Sequence, residues 1–341
     1  MSDHYDALLV VSFGGPEKPE DVLPFLENVL RGKPVPRERM LEVAEHYYHF
    51  GGVSPINSQN RALLRALETA LAESGPKLPI YWGNRNWHPL LPDVLRQMRD
   101  DGITRALAFF TSAYSSYSGC RQYRENIEQA QAEVGPGAPE IDKLRMFFNH
   151  PSFVSALVEE TEAALKAIPV ERHRTTQLVY TAHSIPEAMA DNCEYAAQLT
   201  ETARLVSERL GDFSSALVYQ SRSGPPTQSW LVPDVCDHLR LVRSENRFTD
   251  VVIVPIGFLS DHMEILFDLD TEAKDLCAGI GLPMVRAKTV GTHPQFIEMI
   301  RELILERTDQ AARRSLGEFG TSHDVCPLDC CLSGRPLRPP K

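Results

Sequence analysis

Long apolar runs and basic clusters are both missing from this 341-residue sequence. No stretch approaches the roughly 18–20 consecutive apolar residues that a membrane-spanning helix needs. The opening residues lack the positive segment and cleavage site of a secretory signal, so we interpret Ala7–Phe13 as a buried strand and expect a cytoplasmic protein. The net charge of −11 and the absence of a Lys/Arg-rich run argue against a nucleic-acid partner and favour a cation.

Two further signatures are missing. The seven cysteines are odd in number and mostly scattered, which is not typical of a secreted disulfide framework. The first predicted strand is followed by Gly14 and Gly15 and then by Pro16, without the third glycine of a dinucleotide fingerprint. The sequence therefore argues against a nicotinamide-dependent enzyme.

Short apolar runs alternate with longer amphipathic segments along the chain. The runs have the length and the apolar character of parallel strands that are buried on both faces. They are Ala7–Phe13, Ile80–Gly83, Ala106–Ser112, Gln177–Thr181, Ala216–Gln220, Val251–Phe258 and Val285–Thr289. Because they fall into two similar sets, we predict an α/β fold of two Rossmann-like domains, each a doubly wound parallel sheet, with a cleft between them.

Helical periodicity fills the intervals between the runs. The predicted helices are Pro19–Leu30, Arg39–Tyr48, Asn60–Ala72, Asn149–Ile168, Glu187–Leu210 and His293–Glu306. The helix that starts near residue 149 separates the two sets, so the predicted domains are 1–148 and 149–316. Residues 317–341 are rich in Gly, Pro, Ser and Cys, which predicts an irregular tail.

A histidine and a series of carboxylates each follow a predicted strand. After Val251–Phe258, Ser260 is a candidate N-cap, and on an α-helix five acids would fall within an arc of roughly 80° at about 100° per residue. They are Asp261, Glu264, Asp268, Glu272 and Asp275. Like charges four residues apart repel by about 0.2–0.5 kcal/mol per pair, so a cation is expected to offset them.

His183 follows another strand and offers a nitrogen ligand or a base near neutral pH. A solvated acidic helix and a structural histidine are the alternatives. The position of both features at strand ends, where α/β sheets bind ligands, favours a metal site. Loops rich in tyrosine (Tyr114, Tyr117, Tyr123) and the segment with Arg222 and Trp230 suit a flat apolar ligand with carboxylate edges.

Eight segments in combination resemble the ferrochelatase family. They are SFGGPEKPEDV, FLENVLRGKPVP, FGGVSPIN, YWGNRNWHP, TSAYSSYS, TAHSIPE, YQSRSGPP and PIGFLSDHMEILFDLDTEA, and they run from residue 12 to about residue 273 in order. The C-terminal cysteines resemble those of the soluble actinobacterial coproporphyrin III enzymes. The resemblance implies a chelatase-like pair of domains that grips a porphyrin, and a lyase of heme biosynthesis that inserts Fe²⁺.

The resemblance also implies roles for individual residues. His183 and Glu264 match the catalytic and metal-binding pair, and Asp268 and Glu272 match the acids behind that glutamate. The positions that match porphyrin-contacting ones are Phe13, Arg31, His46, Tyr47, Ser54 and Tyr123. The chain departs from some soluble bacterial members at Phe13, where they carry an iron-ligating tyrosine. Phenylalanine cannot ligate a metal, so delivery must rest on His183 and Glu264.

A mechanism follows from these roles. Fe²⁺ is expected to approach along Glu272, Asp268 and Glu264, while Arg31 and loop hydroxyls hold the propionates and the cleft walls distort the macrocycle. Insertion releases two protons, so the chemistry needs a paired acid and base. The sequence leaves open whether His183 or Glu264 accepts the pyrrole proton while the other holds the metal.

Three cysteines crowd into the tail, at Cys326, Cys330 and Cys331. The resemblance implies a [2Fe–2S] cluster, which needs four ligands that are commonly all cysteine. Cys193 is the first choice for the fourth ligand and Cys120 the second. Reduced thiols in a flexible tail are one alternative, and a zinc site that includes His323 is another.

The substrate and the partners complete the sequence predictions. The absence of a hydrophobic lip favours coproporphyrin III over protoporphyrin IX, which partitions to membranes. A cobalt or nickel chelatase would use the same ligand types, and a carrier of tetrapyrroles without catalysis would need no general base. We expect a monomer without an integral membrane segment.

Overall fold

The computed structural model describes residues 4–33, 35–225 and 227–334, and it has two four-stranded parallel sheets. The first sheet contains β1 (Ala7–Ser12), β2 (Ile80–Asn84), β3 (Arg105–Phe110) and β4 (Glu140–Lys143). The second contains β5 (Thr176–His183), β6 (Ser214–Gln220), β7 (Asp250–Val254) and β8 (Met284–Arg286). The strand orders, β2-β1-β3-β4 and β6-β5-β7-β8, are equivalent, which confirms the predicted pair of α/β domains.

Helices surround both sheets. They are α1 (Val22–Leu30), α2 (Arg37–His49), α3 (Ile56–Ser74), α4 (Leu91–Asp100), α5 (Gln122–Val134), α6 (Pro151–Leu165), α7 (Glu187–Ala190), α8 (Tyr195–Leu210), α9 (Val235–Glu245), α10 (Lys274–Ile280) and α11 (Pro294–Thr308). A π-helix, Ile265–Ala273, precedes α10, and a single π-turn, Tyr117–Arg121, precedes α5. No helix among the described residues is long and apolar enough to cross a bilayer.

The central strands are buried on both faces. Every residue of β1 is buried, with Leu8 and Val10 in one apolar core and Leu9 and Val11 in another. This is why the strand is a continuous apolar run and not an alternating one. The apolar runs were therefore reliable predictors of the interior strands.

β5 lies at the point of the second sheet where the connections reverse direction. The chain passes from β5 to β6 on one side and then crosses to β7 on the other side. Clefts open beyond the carboxyl ends of strands at such a switch point. The residues that follow β5 and β7 are therefore brought together.

One long helix joins the two halves. α11 packs against α6 and also against α3 of the first half, and its Phe296 contacts Phe109 of β3. Near its end, Glu306 receives two hydrogen bonds from the buried Arg145, at 2.7 and 2.8 Å. The predicted boundaries at residues 148 and 316 stay predictions, since the second half and this helix share one apolar core with the first sheet.

Two predicted elements differ from the structure, and one strand was not predicted. The single helix Glu187–Leu210 is wrong, because a turn at 191–194 separates α7 from α8 and directs the hydroxyl of Tyr195 to the carbonyl of His183, 3.0 Å away. β4 was missed because an edge strand need not be apolar, and its sequence is EIDK. The strand predicted at Val285–Thr289 is the short edge strand β8.

Candidate active site at the carboxyl ends of the second sheet

The ends of three neighbouring strands supply the central residues of the site. His183 ends β5 and is paired in register with Gln220, which ends β6. Glu264 lies in the segment that follows β7, directly before the π-helix. The topology thus brings together residues that are far apart in the sequence, as predicted for His183 and Glu264.

His183 and Glu264 form an ion pair. The imidazole Nε2 lies 3.5 Å from Glu264 Oε1, and Nδ1–H donates to the Ser184 carbonyl, which can only accept. Burial alone would lower the pKa of His183, but the Glu264 carboxylate outweighs burial and raises the pKa to about 9. Burial likewise opposes ionisation of Glu264, yet the charge of His183 lowers its pKa to about 2. The pair is therefore an imidazolium and a carboxylate at neutral pH.

The pair is open to the cleft. The side chains of His183 and Glu264 are 32% and 43% exposed, so a cation can reach both of them. A second imidazole, that of His262, accepts a hydrogen bond from the Glu264 backbone N–H at 3.2 Å. Burial lowers the pKa of His262, which keeps this ring neutral. It caps the helix start, the role that the sequence assigned to Ser260, so the Ser260 prediction is wrong.

The acidic segment is a π-helix where an α-helix was predicted. Its wider turn is marked by Thr271, whose hydroxyl donates to the carbonyl of Leu266, five residues earlier, at 2.9 Å. The prediction that five acids share one helical face is wrong, because Asp261 lies before the helix. There it pairs with Arg286 at 3.1 Å and accepts from the Thr289 hydroxyl at 3.2 Å.

Asp268 occupies the middle of the remaining acidic series, one helical turn after Glu264. Its Oδ2 accepts from the Ser221 hydroxyl and from Gln220 Nε2, the latter at 3.3 Å. Burial raises the pKa of Asp268; the Ser221 hydrogen bond opposes that rise, while the charges of Glu264 and Glu272 reinforce it, and the pKa reaches about 7. At neutral pH this carboxyl group is therefore divided between its two protonation states.

Glu272 continues the series to the protein surface. Its side chain is exposed, and partial burial together with the charge of Asp234 raises its pKa. Asp234 caps α9 and lines a cavity of about 310 Å³ beside Ser184 and Arg222. Asp268 therefore lies between the exposed Glu272 and the His183–Glu264 pair in the acidic series, while Asp275, in α10, is exposed.

An aromatic wall from the first half lies beside the π-helix that carries these acids. Phe25 of α1 holds Phe13 and Tyr47 edge-on, with ring centroids 6.1 and 5.7 Å away. His46 of α2 stacks on Phe267 of the π-helix at 3.8 Å between centroids and 10° between planes. The structure thus brings three predicted porphyrin-contacting residues to one side of the cleft and links that side to the acidic helix.

Arg85 belongs to the same wall, although the sequence assigned it no role. Its guanidinium lies 4.5 Å from the ring centroid of Tyr123 and 5.7 Å from that of Phe13. Its Nε donates to Asn126 Oδ1 at 2.7 Å. A cation held over two rings beside an apolar wall suits a carboxylate-edged ligand. Its position directly after β2 was the signal that could have identified it.

Three further residues predicted to contact the porphyrin are Arg31, Ser54 and Tyr123. Arg31 is exposed at the end of α1, where its guanidinium donates to Asn28. Ser54 and Tyr123 are each only 5% exposed. Tyr123 contacts Arg85, and direct contact with a ligand stays a prediction for both residues.

Five cysteines converge where the tail meets the first half. The Cys326 thiol is hydrogen-bonded to Cys120, which lies in the π-turn before α5, and Cys330 Sγ lies 3.4 Å from Cys331 Sγ. The fifth cysteine, Cys193, interacts electrostatically with Cys330 and Cys331. The contact with Cys120 and the charge of Lys143 hold the pKa of Cys326 well below its usual range.

A histidine borders this cysteine group. The ligand atoms of His323, Cys326 and Cys330 lie within 4.8 Å of one another, and His323 Nε2 is 3.8 Å from Cys330 Sγ. Of the two internal candidates, Cys120 contacts Cys326, while Cys193 interacts with Cys330 and Cys331 only electrostatically, and the identity of the fourth ligand stays a prediction. The group contains more thiols than the four that a cluster of two irons needs.

The fold and the open histidine–carboxylate site define a chelatase of the two-domain α/β type. The structure of SirB from Bacillus subtilis with Fe³⁺ has the same fold, with a TM-score of 0.57 at 13% identity, and the match covers 90% of this chain and 98% of that one. The family model for ferrochelatase matches residues 5–308. The chain belongs to the ferrochelatase family, as the sequence predicted.

Similar proteins cover nearly the full length of the chain. A ferrochelatase of Rhodopirellula baltica is 58% identical over 337 residues, which are 98% of this chain and 95% of that protein. Coproporphyrin III ferrochelatases of Streptomyces griseus and Streptomyces coelicolor are 49% and 50% identical, over 99% and 97% of this chain and 95% and 94% of theirs. These relatives confirm the prediction of a metal-inserting lyase.

Proposed function

We propose that this protein inserts Fe²⁺ into coproporphyrin III and releases two protons for each iron inserted. The observation that carries the proposal is the open His183–Glu264 pair, which lies at the end of a buried-to-surface series of acids. A nitrogen and an oxygen ligand with free positions suit a metal that must bind and then leave. The relatives named as coproporphyrin III enzymes support the choice of porphyrin.

The charge state of the pair determines the first step. Because the pKa of His183 is about 9, its imidazole carries a proton at neutral pH and must lose it before Nε2 can bind iron or accept a pyrrole proton. Fe²⁺ at Glu264 repels that proton and so promotes its loss. Asp268, with a pKa of about 7, is the neighbouring group best suited to receive and release protons.

The acidic series and the aromatic wall contact different substrates. Fe²⁺ travels along Glu272, Asp268 and Glu264, and the porphyrin lies against Phe13, Tyr47 and His46 with a propionate at Arg85 or Arg31. The aromatic rings supply a flat apolar surface, and the two guanidiniums pair with carboxylates. Such an arrangement presents the pyrrole nitrogens to the His183 side.

We also propose that the tail cysteines hold a [2Fe–2S] cluster. Cys326, Cys330 and Cys331 fit such a group, because their thiols converge and the pKa of Cys326 is lowered toward the thiolate that iron requires. The contact with Cys326 favours Cys120 as the fourth ligand, and Cys193 stays the alternative. A bound cluster would supply a covalent link between the tail and the first half.

One experiment separates the candidate functions. The purified protein is incubated anaerobically with Fe²⁺ and coproporphyrin III, with protoporphyrin IX in parallel, and insertion is followed by absorbance. Faster turnover of coproporphyrin III supports the proposal, and faster turnover of protoporphyrin IX changes the substrate. Insertion of Co²⁺ or Ni²⁺ but not Fe²⁺ would indicate another chelatase, and tight porphyrin binding without any insertion would indicate a carrier.

A further inference from the structure

A buried amide lies among the charged groups of the acidic series. Gln220 is only 1% exposed and is the register partner of His183 across the β5–β6 pair. Its Nε2 donates to the backbone carbonyl of Glu264 at 3.1 Å and to Asp268 Oδ2 at 3.3 Å. Gln220 therefore contacts the backbone of Glu264 and the carboxyl group of Asp268.

These two contacts determine the orientation of the amide. A carbonyl and a carboxylate oxygen both need a donor, so the NH₂ group must face them. The Oε1 atom of the same amide is buried and has no hydrogen-bond partner in the described protein. Buried polar atoms are nearly always paired, so an unpaired acceptor at a binding site marks a place where a donor or a cation belongs.

The backbone at this point holds the amide in place. Ser221, the next residue, has a φ of 63°, a left-handed conformation that is uncommon for a residue with a side chain. That turn directs the Ser221 hydroxyl to Asp268 as well. The peptide carbonyl of Gln220 accepts from the Ser184 N–H at 2.7 Å, which connects it to the residue beside His183.

We propose that Gln220 Oε1 is a ligand for Fe²⁺ on its way from Asp268 to Glu264. An amide oxygen is a hard, uncharged ligand of the kind that divalent cations accept from proteins. This oxygen would hold the ion between the carboxylates of Asp268 and Glu264. It would add no negative charge to a series of acids that already repel one another. This assignment rests on the proposed function, since it names a contact of the same metal substrate.

The variant that tests the contact is Gln220→Met, which keeps the length of the side chain and removes both the oxygen and the NH₂ donor to Asp268 and the Glu264 carbonyl. Gln177→Met is the matched control, because Gln177 is also buried (6% exposed) and lies at the opposite end of β5. Mn²⁺ is the probe for the full chain without porphyrin, since it prefers oxygen ligands to the tail thiols. Free Mn²⁺ is measured by electron paramagnetic resonance, and KM for Fe²⁺ is measured separately from kcat.

We expect Gln220→Met to weaken Mn²⁺ binding and to raise KM for Fe²⁺ by about tenfold or more. Binding of coproporphyrin III and the unfolding temperature should match those of Gln177→Met. Mn²⁺ binding equal to that of the unmodified protein would overturn the assignment. Should Gln220→Met fail to fold, Gln220→Glu retains an oxygen at this position, and a folded Glu variant that no longer binds Mn²⁺ would equally overturn it.

A second variant distinguishes a ligand from a residue that only holds Asp268 in place. Ser221→Gly removes the hydroxyl contact to Asp268, suits the left-handed backbone and leaves Gln220 intact. A ligand role predicts a smaller loss of Mn²⁺ affinity for Ser221→Gly than for Gln220→Met, and equal losses would overturn it. Mn²⁺ binding that depends on Gln220 in a protein without insertion activity would refute the proposed function alone.

Discussion

At the scale of single residues, the proposed site is centred on one pair of opposite charges, His183 and Glu264. His183 and Glu264 hold each other in their ionised forms, His183 with a pKa of about 9 and Glu264 with a pKa of about 2. The two charges stabilise each other, and the His183 imidazole is a poor base until it loses its proton. In the proposed mechanism, iron competes with a proton for His183 Nε2.

Replacement of either partner should abolish insertion without unfolding the protein. We expect His183→Ala and Glu264→Gln each to reduce kcat/KM by about 100-fold or more, because each removes a group that meets the metal or the pyrrole proton. His238→Ala is the control, since His238 lies on α9 and contacts only Gln177 Oε1, at 3.1 Å, among the hydrogen bonds of its side chain. Normal turnover of His183→Ala would contradict the assignment.

Metal binding should depend on pH through His183. The folded protein keeps the His183 proton up to a pKa of about 9, above the ordinary value of 6.5. Between about pH 4.5 and pH 6.5 the contribution of the ion pair to stability is therefore complete, and it is lost as the pH rises through 9, while metal affinity increases over the same interval. Mn²⁺ titrations at pH 6.5, 7.5 and 8.5 check this, and in His183→Ala the increase should be much smaller. An equal increase in both proteins would assign it to Asp268 or another group.

The sequence identified some of these residues and could not identify others. His183 and Glu264 could be predicted because each follows an apolar run that is a strand. Gln220 and Arg85 also follow strands, but glutamine and arginine are common in loops, and their roles depend on an unpaired oxygen and on two rings that only the tertiary structure brings near. The cap formed by His262 likewise depends on the direction of the Glu264 backbone N–H, which only the structure shows.

At the scale of elements, the π-helix Ile265–Ala273 explains why the acidic face was misjudged. The prediction assumed an α-helical turn, so it aligned Asp261 with the acids that follow. Hydrogen bonds to the fifth preceding residue widen the turn, and the helix begins after Asp261. Helices of this kind are rare and have no simple sequence signal, although they occur often at functional sites.

Close packing between the ends of β5 and β7 positions the segment that leads to this helix beside His183. A Cβ atom at Gly257, just after β7, would lie 2.6 Å from the Cα of Ala182 in β5. We expect Gly257→Ala to lower the free energy of unfolding by about 1–3 kcal/mol and to reduce kcat, because β5 and β7 must move apart.

Gly279→Ala is the matched control for that substitution. Gly279 lies in α10 with no atom within 4 Å of an added Cβ, so alanine there should raise stability by about 0.5–1 kcal/mol. Chemical denaturation measures both free energies. A Gly257→Ala protein as stable and as active as the Gly279→Ala protein would show that the contact is easily relieved.

At the scale of the whole molecule, the tail is attached to the first half by polar contacts. Arg121 donates to the carbonyls of Leu328 and Cys330, at 2.7 and 3.0 Å, and Lys143 donates to that of His323 at 3.0 Å. The described part of the predicted tail, residues 317–334, is thus irregular but docked, while 335–341 lie outside the described residues. The hydrogen bonds of Arg121 and Lys143 to the tail could not be predicted from the sequence, since their acceptors are backbone carbonyls.

Loss of a cluster ligand should therefore affect both colour and stability. We expect Cys120→Ser and Cys326→Ser to lose the visible absorbance of the reconstituted [2Fe–2S] protein and to unfold at a lower temperature. Cys236→Ser, in α9, is the control and should retain both. Cys193→Ser decides the fourth ligand: loss of absorbance there, with retention in Cys120→Ser, would restore the first choice made from the sequence.

The equivalent strand orders of the two sheets allow the halves to be compared as if they were duplicates. In the first sheet the paired strand ends are Ser12 and Asn84, and in the second they are His183 and Gln220. The amides of Asn84 and Gln220 are both buried. Their register partners differ, because Ser12 offers a hydroxyl and His183 an imidazole. The strand order is thus the same in both sheets, while the paired strand ends are a serine and an asparagine in one sheet and a histidine and a glutamine in the other.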